Sequence, residues 1–376
     1  MSQVSFKPVG LDRERLRALM AERKLDGLLL SSPENVFYTT GYPALPSSGN
    51  PIIYALHNQL PCFAFVHKEG TISLLAWGGA VMGIDYGADD VRMLFNRDMA
   101  VAELTGLFTE VLRAEYALGV ESTLPYYVYE VLQHQAPTPR LVTADDILQR
   151  LRLIKAPAEV ARIRKSTAII DQTVLELAQG LRLGMSRLEL IREAKWRLQY
   201  NGADGVDHVT VAFGPANPEV ALDEVLERNQ IVTLDLGAAY GGYVSDNRRL
   251  AYTGAVPPAL KELHGKLCWI VAEMGRSLRP GRTFSELHAR AFELYAAVGV
   301  EPMFLHAGHS IGLQVDEYWI LGDDHTPVQP GMVLNIELYS ASEEGVMIGD
   351  EETFLVTDGE PERLSSLPVD IIERRL

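Results

Sequence analysis

Ile231-Val-Thr-Leu-Asp235-Leu-Gly-Ala-Ala-Tyr240-Gly-Gly-Tyr-Val-Ser-Asp246 is the stretch on which the reading of this 376-residue chain turns. Two strand-like runs flank a Tyr240-Gly241-Gly242 turn, the pattern of an antiparallel hairpin. If the turn centres between Tyr240 and Gly241, facing residue numbers sum to 481 and Asp235 lies directly opposite Asp246, with Cβ atoms about 5 Å apart. Like charges so placed destabilise a hairpin unless a cation bridges them or one carboxylate takes a proton. The alternative is a bulge or longer loop that separates them and leaves both in solvent.

Two further elements lie downstream. Met332-Val-Leu-Asn-Ile-Glu337-Leu places a carboxylate inside an apolar strand, which is costly without a partner. After a turn around Ser342–Gly345, Ile348-Gly-Asp-Glu351-Glu-Thr-Phe-Leu-Val-Thr357 brings more acids beside an apolar run. Phe304-Leu-His306-Ala-Gly-His309-Ser-Ile-Gly312 sets two histidines three residues apart; taken alone, such a pair reads as core or loop imidazoles. Together the elements change that reading. Asp235, Asp246, Glu337 and Glu351 carry four negative charges and His309 one neutral nitrogen, a set that two divalent cations balance. Oxygen-rich ligation with one imidazole suits Mn, Co, Fe or Zn. Two such ions about 3.5–4 Å apart hold a bridging hydroxide and polarise a carbonyl, which is hydrolytic chemistry.

The rest of the chain divides in two. From Asp12, a candidate helix cap, to about residue 154, helix and strand alternate: strand-like Gly27–Ser31, Ile52–Leu56, Phe63–Val66 and Ile72–Ala76, with helical patterns near Met99–Tyr116 and Ala144–Leu153. A boundary falls near Lys155-Ala-Pro157, where Pro157 suits a first helical turn and Ile163, Thr167, Ile170, Val174, Leu177 and Leu181 follow at helical spacing. Ser186-Arg-Leu-Glu189 and Thr283-Phe-Ser-Glu286 are capping boxes. Helices interleaved with β-rich blocks at 208–213, 230–253 and 331–357 indicate an α+β domain. There is no internal repeat in the sequence.

The acidic hairpin, Gly308-His309-Ser-Ile-Gly-Leu313, Val333-Leu-Asn-Ile-Glu337 and Glu351-Glu-Thr-Phe-Leu-Val-Thr357 together resemble the pita-bread metallopeptidase family: Xaa-Pro dipeptidases (prolidases), Xaa-Pro aminopeptidases, methionine aminopeptidases and the metal-free creatinases. Pro33-Glu-Asn-Val-Phe-Tyr-Thr-Thr-Gly41, within Arg15–Gly41, resembles the creatinase/prolidase N-terminal domain, and Leu153-Ile-Lys155-Ala-Pro-Ala-Glu159 that family's linker. The resemblance implies an N-terminal α/β domain over 1–154 and a pita-bread catalytic domain over 155–376. It implies that Asp235 binds one metal, that Asp246 and Glu351 bridge two, and that His309 and Glu337 complete the other, with manganese favoured among Mn, Co, Zn and Fe. Glu337 would also carry the proton of the attacking water, and His306 would steady the intermediate or shuttle a proton, though its spacing is one residue short. The implied reaction is cleavage of the Xaa-Pro bond of a di- or short peptide, in a homodimer whose partner's N-terminal domain helps close the site.

Departures from the family pattern cluster on the substrate side. Asp316 stands where a second histidine is usual, and no histidine falls near Pro218, upstream of the first aspartate. Leu338 replaces the proline after Glu337, Gly349 and Asp350 replace an arginine and an apolar residue, and Glu352 rivals Glu351 as the last ligand. These changes favour the alternative of a same-fold hydrolase cleaving a small non-peptide C–N bond, as ectoine hydrolase or creatinase does. Gly308-His-Ser310-Ile-Gly312 also matches a nucleophile elbow, but only His325 lies downstream and no helical face follows Ser310. A catalytically dead binding module, as in some chaperones, would have lost its ligands.

Composition excludes other classes. Hydrophobic residues make up 47% and charged residues 22%, which rules out wholesale disorder. Fifty acidic against 34 basic side chains, a formal charge of -16, disfavour nucleic acid and anionic membranes as partners. Cys62 and Cys268, in separate halves of the chain, rule out a disulfide framework and a thiolate-built metal site, and fit a reducing cytosol. The N-terminal MSQVSFKPVGLDRERLR shows no basic-then-apolar leader. The uncharged stretch Asn35–His67 is broken by Pro43, Pro46, Pro51 and Pro61, so a cytoplasmic protein is expected.

Overall fold

A computed structural model describes residues 4–220 and 222–376, so that the first three residues of the N-terminal stretch read for a leader lie outside it. The chain forms two compact units, Met1–Arg152 and Leu153–Leu376.

The first unit is built on a six-stranded mixed sheet. Its strands run, in spatial order, Asp90–Leu94, Ile72–Trp77, Phe63–His67, Gly27–Leu30, Ala117–Val120 and Arg140–Thr143. Gly27–Leu30, buried throughout, runs antiparallel to Phe63–His67 and parallel to Ala117–Val120. Asp12 caps the helix Arg13–Glu22, accepting from the Arg15 amide. Ile52–Leu56, expected as a strand, instead holds the short helix Ile52–Ala55. The reason is local: Asn50 accepts from the Ile52 amide, and the segment shows no alternation of buried and exposed positions to commit it to a sheet. No helix among the described residues is long and apolar enough to cross a membrane.

The second unit has two halves of one plan, a helix pair covering a sheet. In the first half, helices Pro157–Gly180 and Arg187–Tyr200 pack on a sheet ordered Ile372–Glu373, Tyr243–Tyr252, Ile231–Tyr240 and Gly205–Phe213. In the second, helices Pro258–Ser277 and Phe284–Val298 pack on a sheet ordered Tyr318–Trp319, His309–Ser310, Val333–Ala341, Met347–Leu355 and Glu362–Arg363. The anticipated helix starts are present: Pro157 at the first turn, and capping boxes Ser186/Glu189 and Thr283/Glu286.

The acidic hairpin turns on two residues, Gly241 (φ 60°) and Gly242 (φ 85°), with Tyr240 opposite Tyr243. Two successive positive φ angles define the tight turn whose twist suits paired strands, and only glycine takes both without cost. Replacing Gly242 with alanine therefore costs about 1–2 kcal/mol of stability. Urea denaturation measures it, and an unchanged midpoint would contradict the turn.

Candidate functional site

That turn sets the register. Facing residues sum to 483, so Asp235 lies opposite Arg248 and Asp246 opposite Gly237. The direct Asp235–Asp246 pairing expected from a turn one residue earlier is not formed. The two aspartates still share a face, because Asp246 is two residues from the partner of Asp235. The directly opposed acidic pair is instead Glu337 and Glu351, on Val333–Ala341 and Met347–Leu355.

A histidine reaches the aspartates after all, from a place the sequence reading did not consider. His208, on Gly205–Phe213, sets Nε2 3.1 Å from Asp235 Oδ1 and 3.3 Å from Asp246 Oδ1, while Nδ1 meets Asp207 Oδ2 at 3.0 Å. The strand pairing shifts between Leu236 and Ala238, so that Asp207 and His208 both fall against Gly237. A Cβ at Gly237 would lie 2.3 Å from His208 Nδ1. A glycine inside a strand run is the available signal for such a bulge.

His309, 1% exposed, brings Nε2 to 3.9 Å from Asp246 Oδ2. Its Nδ1 lies 3.4 Å from Asp316 Oδ1, so the residue in place of the family's second histidine faces the first one. His306 Nδ1 is 3.3 Å from Glu337 Oε1, though without hydrogen-bond geometry, and its ring sits between Phe304 and Trp319. The Glu351 carboxyl lies beside those of Asp246 and Glu337 and interacts electrostatically with both. The Tyr339 hydroxyl donates to Glu351 and approaches Glu337 Oε2 at 3.2 Å. Its ring fills the space left by Gly349 and carries the Arg248 guanidinium 4.8 Å from its centroid. Arg248 Nη1 lies 3.8 Å from Asp235 Oδ2. Glu352 points to the other side of its strand, where it pairs with Arg249 and Arg363. All six residues singled out in the sequence (Asp235, Asp246, His306, His309, Glu337 and Glu351) thus converge.

The electrostatics follow from burial and crowding. Burial, reinforced by the Asp246 and Asp235 charges, raises Glu337 to about 7 against partial relief from His309. Burial and the three neighbouring carboxylates hold Glu351 well above the usual range. Burial alone would depress His208, but Asp246, Asp207 and Asp235 together hold it well above the ordinary imidazole value. For Asp246, burial is outweighed by His208 and His309, and its carboxyl titrates low. Asp246 Oδ1 and Glu351 Oε2 are buried without a hydrogen-bond partner. An acidic cluster with unpaired inward oxygens and an adjacent imidazole is a donor set that fits divalent cations. Ser310, by contrast, lies buried in a strand, and His325 bonds Ser285, so no serine-nucleophile arrangement exists there.

The contact between His208 and Gly237 is testable. Gly237→Ala costs about 1–3 kcal/mol by overpacking, read by urea denaturation. In a His208→Ala background the cost falls by more than half; equal costs in both backgrounds would refute the contact.

Known proteins supply the last observation. The profile described as metallopeptidase family M24 matches residues 161–358, and that of the creatinase/prolidase N-terminal domain matches 13–154. An Xaa-Pro dipeptidase of Pyrococcus horikoshii is 31% identical over 273 residues, covering 70% of this chain and 77% of that protein. Another from Pyrococcus furiosus is 27% identical, covering 94% and 97%. In fold, the chain superposes on the prolidase of Pyrococcus horikoshii OT3 with a TM-score of 0.82 at 24% identity, over 96% and 99% of the two chains. It also superposes on the N-terminal domain of the FACT subunit SPT16 from chickpea, with a TM-score of 0.75 at 14% identity, over 95% and 96%.

Proposed function

The chain belongs to metallopeptidase family M24, and from that membership we propose that it hydrolyses the Xaa-Pro bond of dipeptides or short peptides, using two divalent cations held by Asp235, Asp246, His309, Glu337 and Glu351. The observation that carries this reading is the facing pair Glu337 and Glu351, the latter buried beside Asp246, with Asp246 Oδ1 and Glu351 Oε2 lacking hydrogen-bond partners. Such a cluster is stable only when positive charge enters it. In this reading Asp235 would hold one ion, His309 and Glu337 the other, and Asp246 and Glu351 would contribute to both, manganese being the first candidate. When bound, such a pair activates a water and polarises the scissile carbonyl.

The chain's own residues do the rest. His309 Nδ1–H donates to the Ser310 carbonyl 3.3 Å away, with Asp316 Oδ1 at 3.4 Å, which fixes the tautomer and leaves Nε2 to ligate. Glu337, directly across from Glu351 and 3.3 Å from His306 Nδ1, is placed to take and return a proton. His306, lowered to about 4 by burial and neighbouring imidazoles, stays neutral beside Glu337 and can accept or relay a proton there. Tyr339 holds Glu337 and Glu351 in one orientation through its hydroxyl. Phe304 and Trp319 wall the His306 side with apolar surface, suited to the ring of a proline substrate. The working form is a homodimer in which the partner's N-terminal domain narrows the entrance.

A second reading keeps the fold and the cations but takes a small non-peptide C–N bond, as ectoine hydrolase or creatinase does. Its support is the side of the cluster where Gly349 and Asp316 depart from the family pattern, Tyr339 filling the space that Gly349 leaves.

Glu337→Gln should lower kcat/KM by about 10²–10⁴, and Asp246→Asn should abolish turnover, both with an unchanged circular dichroism spectrum. Undiminished turnover in either variant refutes the assignment. Metal-stripped protein should be inactive and melt at a lower temperature, and manganese should restore both properties, since a ligand of the folded state alone raises the midpoint. A panel of Xaa-Pro dipeptides, longer Xaa-Pro peptides and compatible solutes separates the two readings; turnover of solutes alone would sink the peptidase.

A further inference from the structure

Met347–Leu355 presents Glu351 on one face and Asp350 on the other. Behind that outer face runs the helix Pro258–Ser277, on which His264 and Cys268 are one turn apart and project together. We propose that His264, Cys268 and Asp350 form a second metal site, separate from the acidic cluster, that binds a zinc-class divalent cation.

The geometry is that of a ligand set. One donor atom from each of the three residues can be chosen so that all lie within 4.8 Å of one another. A tetrahedral zinc with Zn–S ~2.3 Å and Zn–N ~2.0–2.1 Å holds sulfur and nitrogen ~3.5–3.6 Å apart. Cys268 Sγ lies 3.5 Å from His264 Nε2 and 3.6 Å from Nδ1. Asp350 is 1% exposed, and its Oδ2 has no hydrogen-bond partner, although Oδ1 meets Arg249 Nη1 at 3.3 Å. Cys268 and Asp350 both line a cavity of about 260 Å³ that extends to the exposed Arg276 and Glu360, giving an ion a way in and room for a water as fourth ligand.

The charges also suit a cation. Arg249 and Arg363 are already offset by Asp350 and Glu352. The Cys268 thiolate and Asp370, which acts electrostatically on both His264 and Cys268, supply the two further negative charges a divalent ion needs. Burial pushes His264 down to about 4, so the imidazole is neutral with a lone pair to give. Burial raises the thiol, and a coordinating ion removes its proton to solvent. Two cysteines far apart exclude a site of several thiolates; one thiolate joined by an imidazole and a carboxylate is the mixed set zinc accepts. On this strand an occupied outer site would brace the backbone that carries Glu351.

Cobalt(II), a spectroscopic stand-in for zinc, tests this in the full-length metal-stripped chain. The acidic cluster offers only oxygen and nitrogen, so a thiolate-to-cobalt charge-transfer band in the near ultraviolet reports the outer site alone. The band should appear in the wild type and in Cys62→Ser, vanish in Cys268→Ser, and be displaced by zinc. His264→Gln should weaken zinc binding by at least roughly tenfold, the loss that even outer-shell substitutions produce. Zinc should also protect Cys268 from alkylation in the wild type. Cobalt uptake by the folded wild type without a thiolate band, or a band that persists in Cys268→Ser, overturns the site and leaves a thiol–imidazole hydrogen bond.

Discussion

Everything in the catalytic half depends on four carboxylates being crowded together, two of them buried. Asp246 and Glu351 are almost wholly buried, and Glu337 stands directly across from Glu351. Burying one unpaired carboxylate is already costly, and burying several together is tolerable only with compensating charge. Within the chain, His208 lies between Asp235 and Asp246, whose charges raise its affinity for a proton; burial and the neighbouring carboxylates raise that of Glu351, Tyr339 donates into the cluster, and Arg248 stands behind it.

Much of this was legible in the residues. The Asp235, Asp246, Glu337 and Glu351 strands, the His309 loop and the capping boxes at Ser186 and Thr283 announce themselves by local pattern, since each is set by neighbours within a few positions. What escaped was set across strands. A turn placed one residue early puts Asp235 against Asp246 rather than Arg248, because moving the turn centre by one residue changes every pairing by two. His208 was invisible because a bulge against Gly237, not its own sequence neighbourhood, turns it toward the aspartates. The choice between Glu351 and Glu352 also needed the partner strand: the residue facing Glu337 is Glu351, and Glu352 is claimed by Arg249 and Arg363.

Fold alone says less than these side chains do. The same architecture is shared with a prolidase and with a FACT subunit domain, two proteins with very different descriptions. What distinguishes one chain from another on this frame is the side chains it carries, here the acidic cluster and the wall around it. Arg248, Tyr339, Gly349 and Asp316 stand in that wall.

The two-halves plan has a mechanical corollary. Asp235 and Asp246 hang from a sheet with one hydrophobic core, while His309, Glu337 and Glu351 hang from a sheet with another. Bonds between the two sheets run from Tyr243–Tyr252 to Met347–Leu355, among them Thr353 Oγ1 to the Asp246 carbonyl, Arg248 to the Met347 carbonyl and Arg249 to the Glu351 carbonyl. An ion gripped from both sides would therefore work as a rivet across the seam, tying the stability of one half to that of the other.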